Sequence, residues 1–178
     1  MIGKKVPYFQ RQTLNSITID SSYFRNKVTL ITFMYLGCMP CMYEARQLTK
    51  LHEEFKNTNF QILCVAPHTA DQLKDFNSDN GSDLAKLRAH FKIDKLKYEI
   101  LPECNTEDLK RKKVSKDGST IIAPECNTIS MLFKFNGYPQ SFLVDKAGII
   151  RTSESGFSIN PKDTSTIVKI RQKIKELL

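Results

Sequence analysis

Between positions 28 and 36 the chain reads Val28-Thr29-Leu30-Ile31-Thr32-Phe33-Met34-Tyr35-Leu36, a nearly unbroken apolar and β-branched run. Such a run fits a central strand buried on both faces. Gly37 ends it, and a helix is predicted from Pro40 to about Phe55. Proline suits a first helical turn, where its missing N–H has no intrahelical partner. Cys41, Glu44, Leu48, Leu51 and Phe55 recur at steps of three and four, so they share a face that is apolar except for Glu44. Phe60-Gln61-Ile62-Leu63-Cys64-Val65-Ala66 predicts a second buried strand, stopped at Pro67. Strand, helix, strand in that order implies a parallel, right-handed unit.

Weak alternation over residues 8–27, as in Ile17-Thr18-Ile19, suggests a peripheral hairpin. A helix fits Asp83 to Phe91, with Ser82 as its cap and Leu84, Leu87 and Phe91 inward. Ile129, Leu132 and Phe133 suggest a short helix, and Ser141 to Asp145 a strand whose Ala147-Gly148 turn leads onto Ile149-Ile150-Arg151. The end of the chain reads as an amphipathic helix from Pro161 to Leu178, capped by Asn160, with Ile167, Ile170, Ile174 and Leu177 facing the core. Alternating strands and helices place the chain in the α/β class, and 178 residues suit a single domain, 1–178.

Composition adds exclusions. A hydrophobic fraction of 40% with 26% charged residues is that of an ordinary globular chain. No apolar run has the length of a membrane span, and Met1 to Pro7 carry no signal-peptide core. The chain therefore reads as cytosolic, or as the mature part of an exported protein. The formal charge is +8, with one dense run, Lys110-Arg111-Lys112-Lys113. No nucleic-acid motif accompanies that run, so a solvated loop is expected and no nucleic-acid partner.

The chemistry lies in Cys38-Met39-Pro40-Cys41. Two cysteines at this spacing on a helix start can close a small disulfide ring. Free N–H groups and the helix dipole favour a thiolate at Cys38. Such placement lowers a cysteine pKa from about 8.5 to about 3.5–7.5. Cys38 is then the attacking nucleophile, and Cys41, one turn inside, resolves the mixed disulfide. A structural zinc site is the alternative, but it needs four ligands; no second such pair exists, and His52, His68 and His90 are scattered. No metal and no cofactor is expected. Glu44 on the buried stripe should have a raised pKa and exchange a proton with Cys41. Otherwise it snorkels to the surface or pairs with Arg46 or Lys50.

Of the remaining cysteines, Cys64 lies in an apolar strand and should be a buried thiol. Cys104 and Cys126 sit in identical Pro-Glu-Cys-Asn-Thr pentapeptides, with Lys116-Asp117-Gly118 as a turn signal between them. Antiparallel strands could bring the copies together for a bridge. Two unpaired thiols left by a local duplication is the favoured reading.

Four stretches in order resemble the TlpA/ResA branch of the thioredoxin superfamily, the AhpC/TSA-like redoxins. Gly3 to Phe9 resembles the opening G-K-x-x-P-x-F, and Lys27 to Phe33 the first core strand. Cys38 to Glu44 is similar to C-x-P-C-x-x-E, and Gly137 to Gly148 to G-x-P-x-x-F-x-I-D-x-x-G. The resemblance implies a thioredoxin-like fold: a central mixed sheet flanked by helices, with the N-terminal β-hairpin and an insertion, residues 102–128, before a cis-proline. It implies that Pro139 is that cis-proline and that Tyr138 offers backbone groups to an extended substrate. It matches Glu44 to the family's buried acid, since Thr32 stands where thioredoxin has its aspartate. Gly37, Met39, Pro40 and Tyr138 are the residues expected to meet substrate.

Three departures stand out. Gly37 replaces the family's usual tryptophan, which should widen access to Cys38. Ala45-Arg46 replaces the proline after the acid. The connection from Leu101 to Pro139 is about twenty residues longer than usual, and such excess is often functional. The expected activity is thiol–disulfide exchange on protein substrates, more as a reductant, with a separate redox partner. The resemblance also implies a periplasmic or other extracytoplasmic site and a membrane tether outside this sequence. A copper(I) carrier is the alternative, with Met34, Met39 and Met42 near the soft cysteine ligands. A peroxidase is ranked last, because Phe33 to Cys38 lack the Pro and Thr such a site needs.

Overall fold

The structure is a computed structural model that describes residues 1–105, 113–114, 120–121, 124–160 and 162–178, with only the backbone described at 113–114, 120–121 and 124–125. Strands β1 (Arg11–Gln12) and β2 (Thr18–Ile19) form the expected hairpin. The main sheet holds β3 (Val28–Phe33), β4 (Phe60–Ala66), β5 (Glu99–Pro102), β8 (Gln140–Val144) and β9 (Ile150–Ser155). Between them β6 (Lys113–Val114) and β7 (Thr120–Ile121) pair antiparallel. The basic run from Lys110 and the Lys116-Asp117-Gly118 turn lie outside the described residues, apart from the backbone of Lys113.

The order is β5-β4-β3-β8-β9, with β3, β4 and β5 parallel and β8 and β9 antiparallel to their neighbours. Every residue of β3 is buried, as a central strand's continuous apolar run requires. On one face Leu30, Ile62, Cys64 and Ile100 pack beneath α1 (Met39–Phe55), α2 (Ala70–Phe76) and α5 (Ser165–Leu177). On the other, Ile31, Phe33, Leu63 and Val65 meet the N-terminal segment and α4 (Thr128–Phe133). The mixed sheet, its helices and the hairpin are those the sequence led us to expect.

Several elements differ from expectation. Helix α2 is an addition to the expected elements, its start fixed by a reciprocal capping box between Thr69 and Gln72. Strand β5, parallel to β4 at the sheet edge, is a second addition. Helix α3 (Asp83–His90) begins at Ser82 as expected, but its fully buried positions are Ala85 and Arg88, while Leu84, Leu87 and Phe91 are only partly buried. Arg88 is tolerated inside because its guanidinium donates to the carbonyls of Phe76, Ser78 and Ile93 and pairs with Asp79. The last helix starts four residues later than predicted, at Ser165. Asn160 instead closes a turn, its side chain accepting from Lys162 N–H and its carbonyl from Asp163 N–H; Pro161 lies outside the described residues.

Candidate active site at the start of the first helix

Strand β3 ends at the centre of the sheet, and the chain turns through Tyr35, Leu36 and Gly37 into α1. Cys38 is the N-cap, with extended backbone (φ −91°, ψ 107°), and its Sγ accepts from Cys41 N–H at 3.2 Å. Cys38 and Cys41 are joined by a disulfide, S–S 2.07 Å, with Cα atoms 5.2 Å apart. Cys38 is 5% exposed and Cys41 0%, so what access exists is to Cys38. Met39 is exposed beside them.

Gly37 does not open the site as expected. A Cβ there would come within 3.0 Å of the Tyr35 ring, so glycine admits Tyr35 to the place a larger side chain would fill. The Tyr35 ring meets the Tyr138 ring edge-on at 5.4 Å, and Cys38 N–H donates to the Tyr35 carbonyl. Tyr138-Pro139 is a cis peptide bond. It opens β8, whose Gln140 pairs with Phe33 at the end of β3, so the cis-proline stands at the sheet end from which the Cys38 loop leaves.

Glu44 is 3% exposed. The snorkelling and surface-pair readings are therefore set aside. Its Oε2 accepts from the Thr32 hydroxyl at 2.9 Å and its Oε1 from the Ser141 hydroxyl at 2.7 Å. Thr32 is the rung residue between Cys64 on β4 and Ser141 on β8, so one row of the sheet presents two hydroxyls and a thiol beneath α1. Burial pushes the Glu44 carboxyl up to about 7, against the lowering effect of those two hydrogen bonds. Burial, with Glu44's charge nearby, holds the free thiol of Cys64 well above its ordinary range and keeps it inert.

Thr32 and Ser141 as partners of Glu44 were not foreseen, though a hydroxyl in the midst of an apolar buried strand was a usable signal. His68 was also missed. Its Nε2 accepts from Leu36 N–H at 3.0 Å, bracing the loop before Cys38. Burial lowers its pKa, which suits a neutral acceptor. Glu103, in the first pentapeptide, is buried; its carboxylate accepts from the N–H groups of Ile129 and Ser130 and from the Ser130 hydroxyl. Cys104 and Cys126 are bonded, with Cα atoms 4.4 Å apart, which corrects the reading of two free thiols. The bond follows from tertiary placement: β5 delivers Cys104 beside the short 3₁₀ turn, Pro124–Asn127, that carries Cys126 into α4. Met34 and Met42 pack in the core, while Met39 is exposed.

A family model described as the AhpC/TSA family matches residues 2–153. The chain belongs to the AhpC/TSA family. No curated protein matches it in sequence. Solved structures share its fold at low identity. A Chlorobium tepidum protein assigned as thiol:disulfide interchange protein DsbE is 17% identical, with TM-score 0.64 over 98% of this chain and 97% of that one. The thioredoxin domain of a thiol-disulfide oxidoreductase from Bacteroides vulgatus is 19% identical, with TM-score 0.57 over 96% and 97%. A SCO1/SenC family lipoprotein from Bacillus anthracis is 18% identical, with TM-score 0.55 over 98% and 95%. The AhpC/TSA fold with its Cys38–Cys41 pair agrees with the redoxin resemblance read from the sequence. Among the described residues no helix is long and apolar enough to cross a membrane.

Proposed function

We propose that this AhpC/TSA-family protein is a thiol–disulfide oxidoreductase of the TlpA/ResA kind that reduces disulfides in protein substrates. The observation that carries the reading is the Cys38–Cys41 disulfide on a helix N-terminus, one turn before the buried Glu44. In the dithiol form, the helix N-terminus stabilises the Cys38 thiolate. That thiolate attacks one sulfur of the substrate disulfide; a mixed disulfide forms and the other substrate sulfur leaves as a thiolate. Glu44 accepts the Cys41 proton, and Cys41 attacks Cys38 Sγ. The Cys38–Cys41 bond closes, the second substrate sulfur is released, and two electrons have passed to the substrate. A dithiol partner returns the protein to its reduced form. Gly37, Met39, Pro40 and Tyr138 line the approach, with Pro139 setting the backbone that an extended substrate meets.

We read residues 1–178 as one thioredoxin-like domain with 102–128 as an insertion. A second, structural disulfide favours an oxidising compartment, and so an extracytoplasmic location, as does the lipoprotein among similar folds. The copper(I) alternative has less support, because Met34 and Met42 are committed to the core.

The test is a pair of variants assayed on insulin. Cys38→Ser should abolish reduction, and Cys41→Ser should accumulate mixed disulfides visible by mass spectrometry. Substantial insulin reduction by Cys38→Ser would overturn the assignment. The potential of the Cys38–Cys41 couple, measured against glutathione, decides between reductant and oxidant; a poise well above that of glutathione would reverse the direction proposed.

A further inference from the structure

The first pentapeptide holds two groups that act on different parts of the site. Glu103 N–H donates to the Ala66 carbonyl and Cys104 N–H to the His68 carbonyl, so this stretch is laid against the end of β4. His68 in turn accepts from Leu36 N–H, in the loop just before Cys38. In the other direction, the Glu103 carboxylate caps α4 through Ile129 and Ser130, and the disulfide to Cys126 ties down the turn ahead of α4. Ser130 Oγ and Asn127 Oδ1 each lie 3.5 Å from the Tyr138 hydroxyl. Tyr138 precedes the cis-proline and its ring meets Tyr35. One short segment thus reaches both sides of the approach to Cys38: the Leu36 side through His68, and the Tyr138 side through α4.

Neither Glu103 nor the second disulfide takes part in the exchange itself. Cys104 is 6% exposed and Cys126 0%, and among the described residues no hydrogen bond joins either to Cys38 or Cys41. Their contacts reach His68 and Ser130, which in turn touch Leu36 and Tyr138 beside the site. A short helix such as α4 gains little stability on its own. Its position, and that of Tyr138 beyond it, therefore depends on what holds its N-terminus. Both holding groups are here a covalent bond and a buried carboxylate.

Resting on the oxidoreductase reading above, we propose that Glu103 and the Cys104–Cys126 disulfide form a positioning clasp, setting the spacing between the Leu36 and Tyr138 sides of the site so that it grips a polypeptide around its disulfide. A small disulfide needs only Cys38 and does not depend on that spacing. The clasp therefore acts on the binding of protein substrates and leaves the chemistry of the cysteine pair unchanged.

The experiment compares insulin with 5,5′-dithiobis(2-nitrobenzoate) as substrates for the full chain, using wild type, Cys104→Ala/Cys126→Ala and Glu103→Gln. For the double variant the insulin KM is expected to rise about tenfold with kcat held, while the rate on the small disulfide stays within about twofold of wild type. Glu103→Gln keeps the bridge and the side-chain shape, and is expected to move the insulin KM in the same direction by a smaller factor. It keeps the test decisive if the double variant does not fold. Equal losses on both substrates, or no change on insulin in the folded variants, would overturn the clasp while leaving the oxidoreductase reading standing. A wild type inert on both substrates would overturn that reading, and the clasp with it.

Discussion

Glu44 concentrates the residue-scale physics. A carboxyl with no exposed surface to speak of accepts two hydroxyl hydrogen bonds, which lower its pKa, yet burial dominates and leaves it near 7 against an ordinary 4.5. In the range between those values the folded protein holds a proton that the unfolded chain has lost. The associated stability is complete below about 4.5 and is lost as pH rises through about 7, a span of roughly 3 kcal/mol. Oxidised wild type should therefore lose stability to urea across that range, and Glu44→Gln should have a flatter profile. Parallel profiles would remove Glu44 as the titrating group. Thr32→Val should raise the Glu44 pKa further, read by carboxyl ¹³C shifts, because it deletes a donor to the charged form.

At the scale of elements, the ends of helices show what local sequence can do. Thr69 and Gln72 satisfy each other's backbone groups at the start of α2, so Thr69→Ala should cost about 1 kcal/mol by urea unfolding. Ser82 caps α3 in one direction only, its hydroxyl accepting from Ala85 N–H at 3.1 Å. Helix α4 has no side-chain cap from its own N-cap residue; its cap comes from Glu103, 26 residues back from Ile129. Its tether is the Cys104–Cys126 bond, closing a separation of 22 residues, and losing that bond should cost roughly 3 kcal/mol. Thiol counting in denaturant without reductant, on the Cys38→Ser/Cys41→Ser variant, should find one free thiol, that of Cys64. Three would mean that the bridge is absent.

For the whole molecule, charge matters more than any single ion pair. The exposed pairs, such as Lys56–Glu53 and Lys97–Glu53, are of the kind that contributes little to stability. The formal charge of +8 instead shapes encounter with partners. The kcat/KM on an acidic protein disulfide should fall with added salt, while that on an uncharged small disulfide should hold. Equal salt dependence for the two would mean that the field does not steer substrate.

The sequence alone determined what depends on neighbours within a turn or a strand. The β3 and β4 runs, the α1 stripe and the cysteine pair at its start are local patterns, because side-chain periodicity and cap chemistry act over a few residues. Glu44 was legible for the same reason, as the one acid on an apolar stripe. Its partners were not: Thr32 and Ser141 reach it from two strands, one of them 97 positions away, and only the β3–β8 register brings them to one carboxylate. The Tyr35 ring over Gly37, the hold of His68 on Leu36 and the Cys104–Cys126 bond are likewise products of how the sheet stacks its ends. Hydrophobic burial drives that stacking without regard to sequence distance, so groups far apart along the chain become neighbours only once the core has formed.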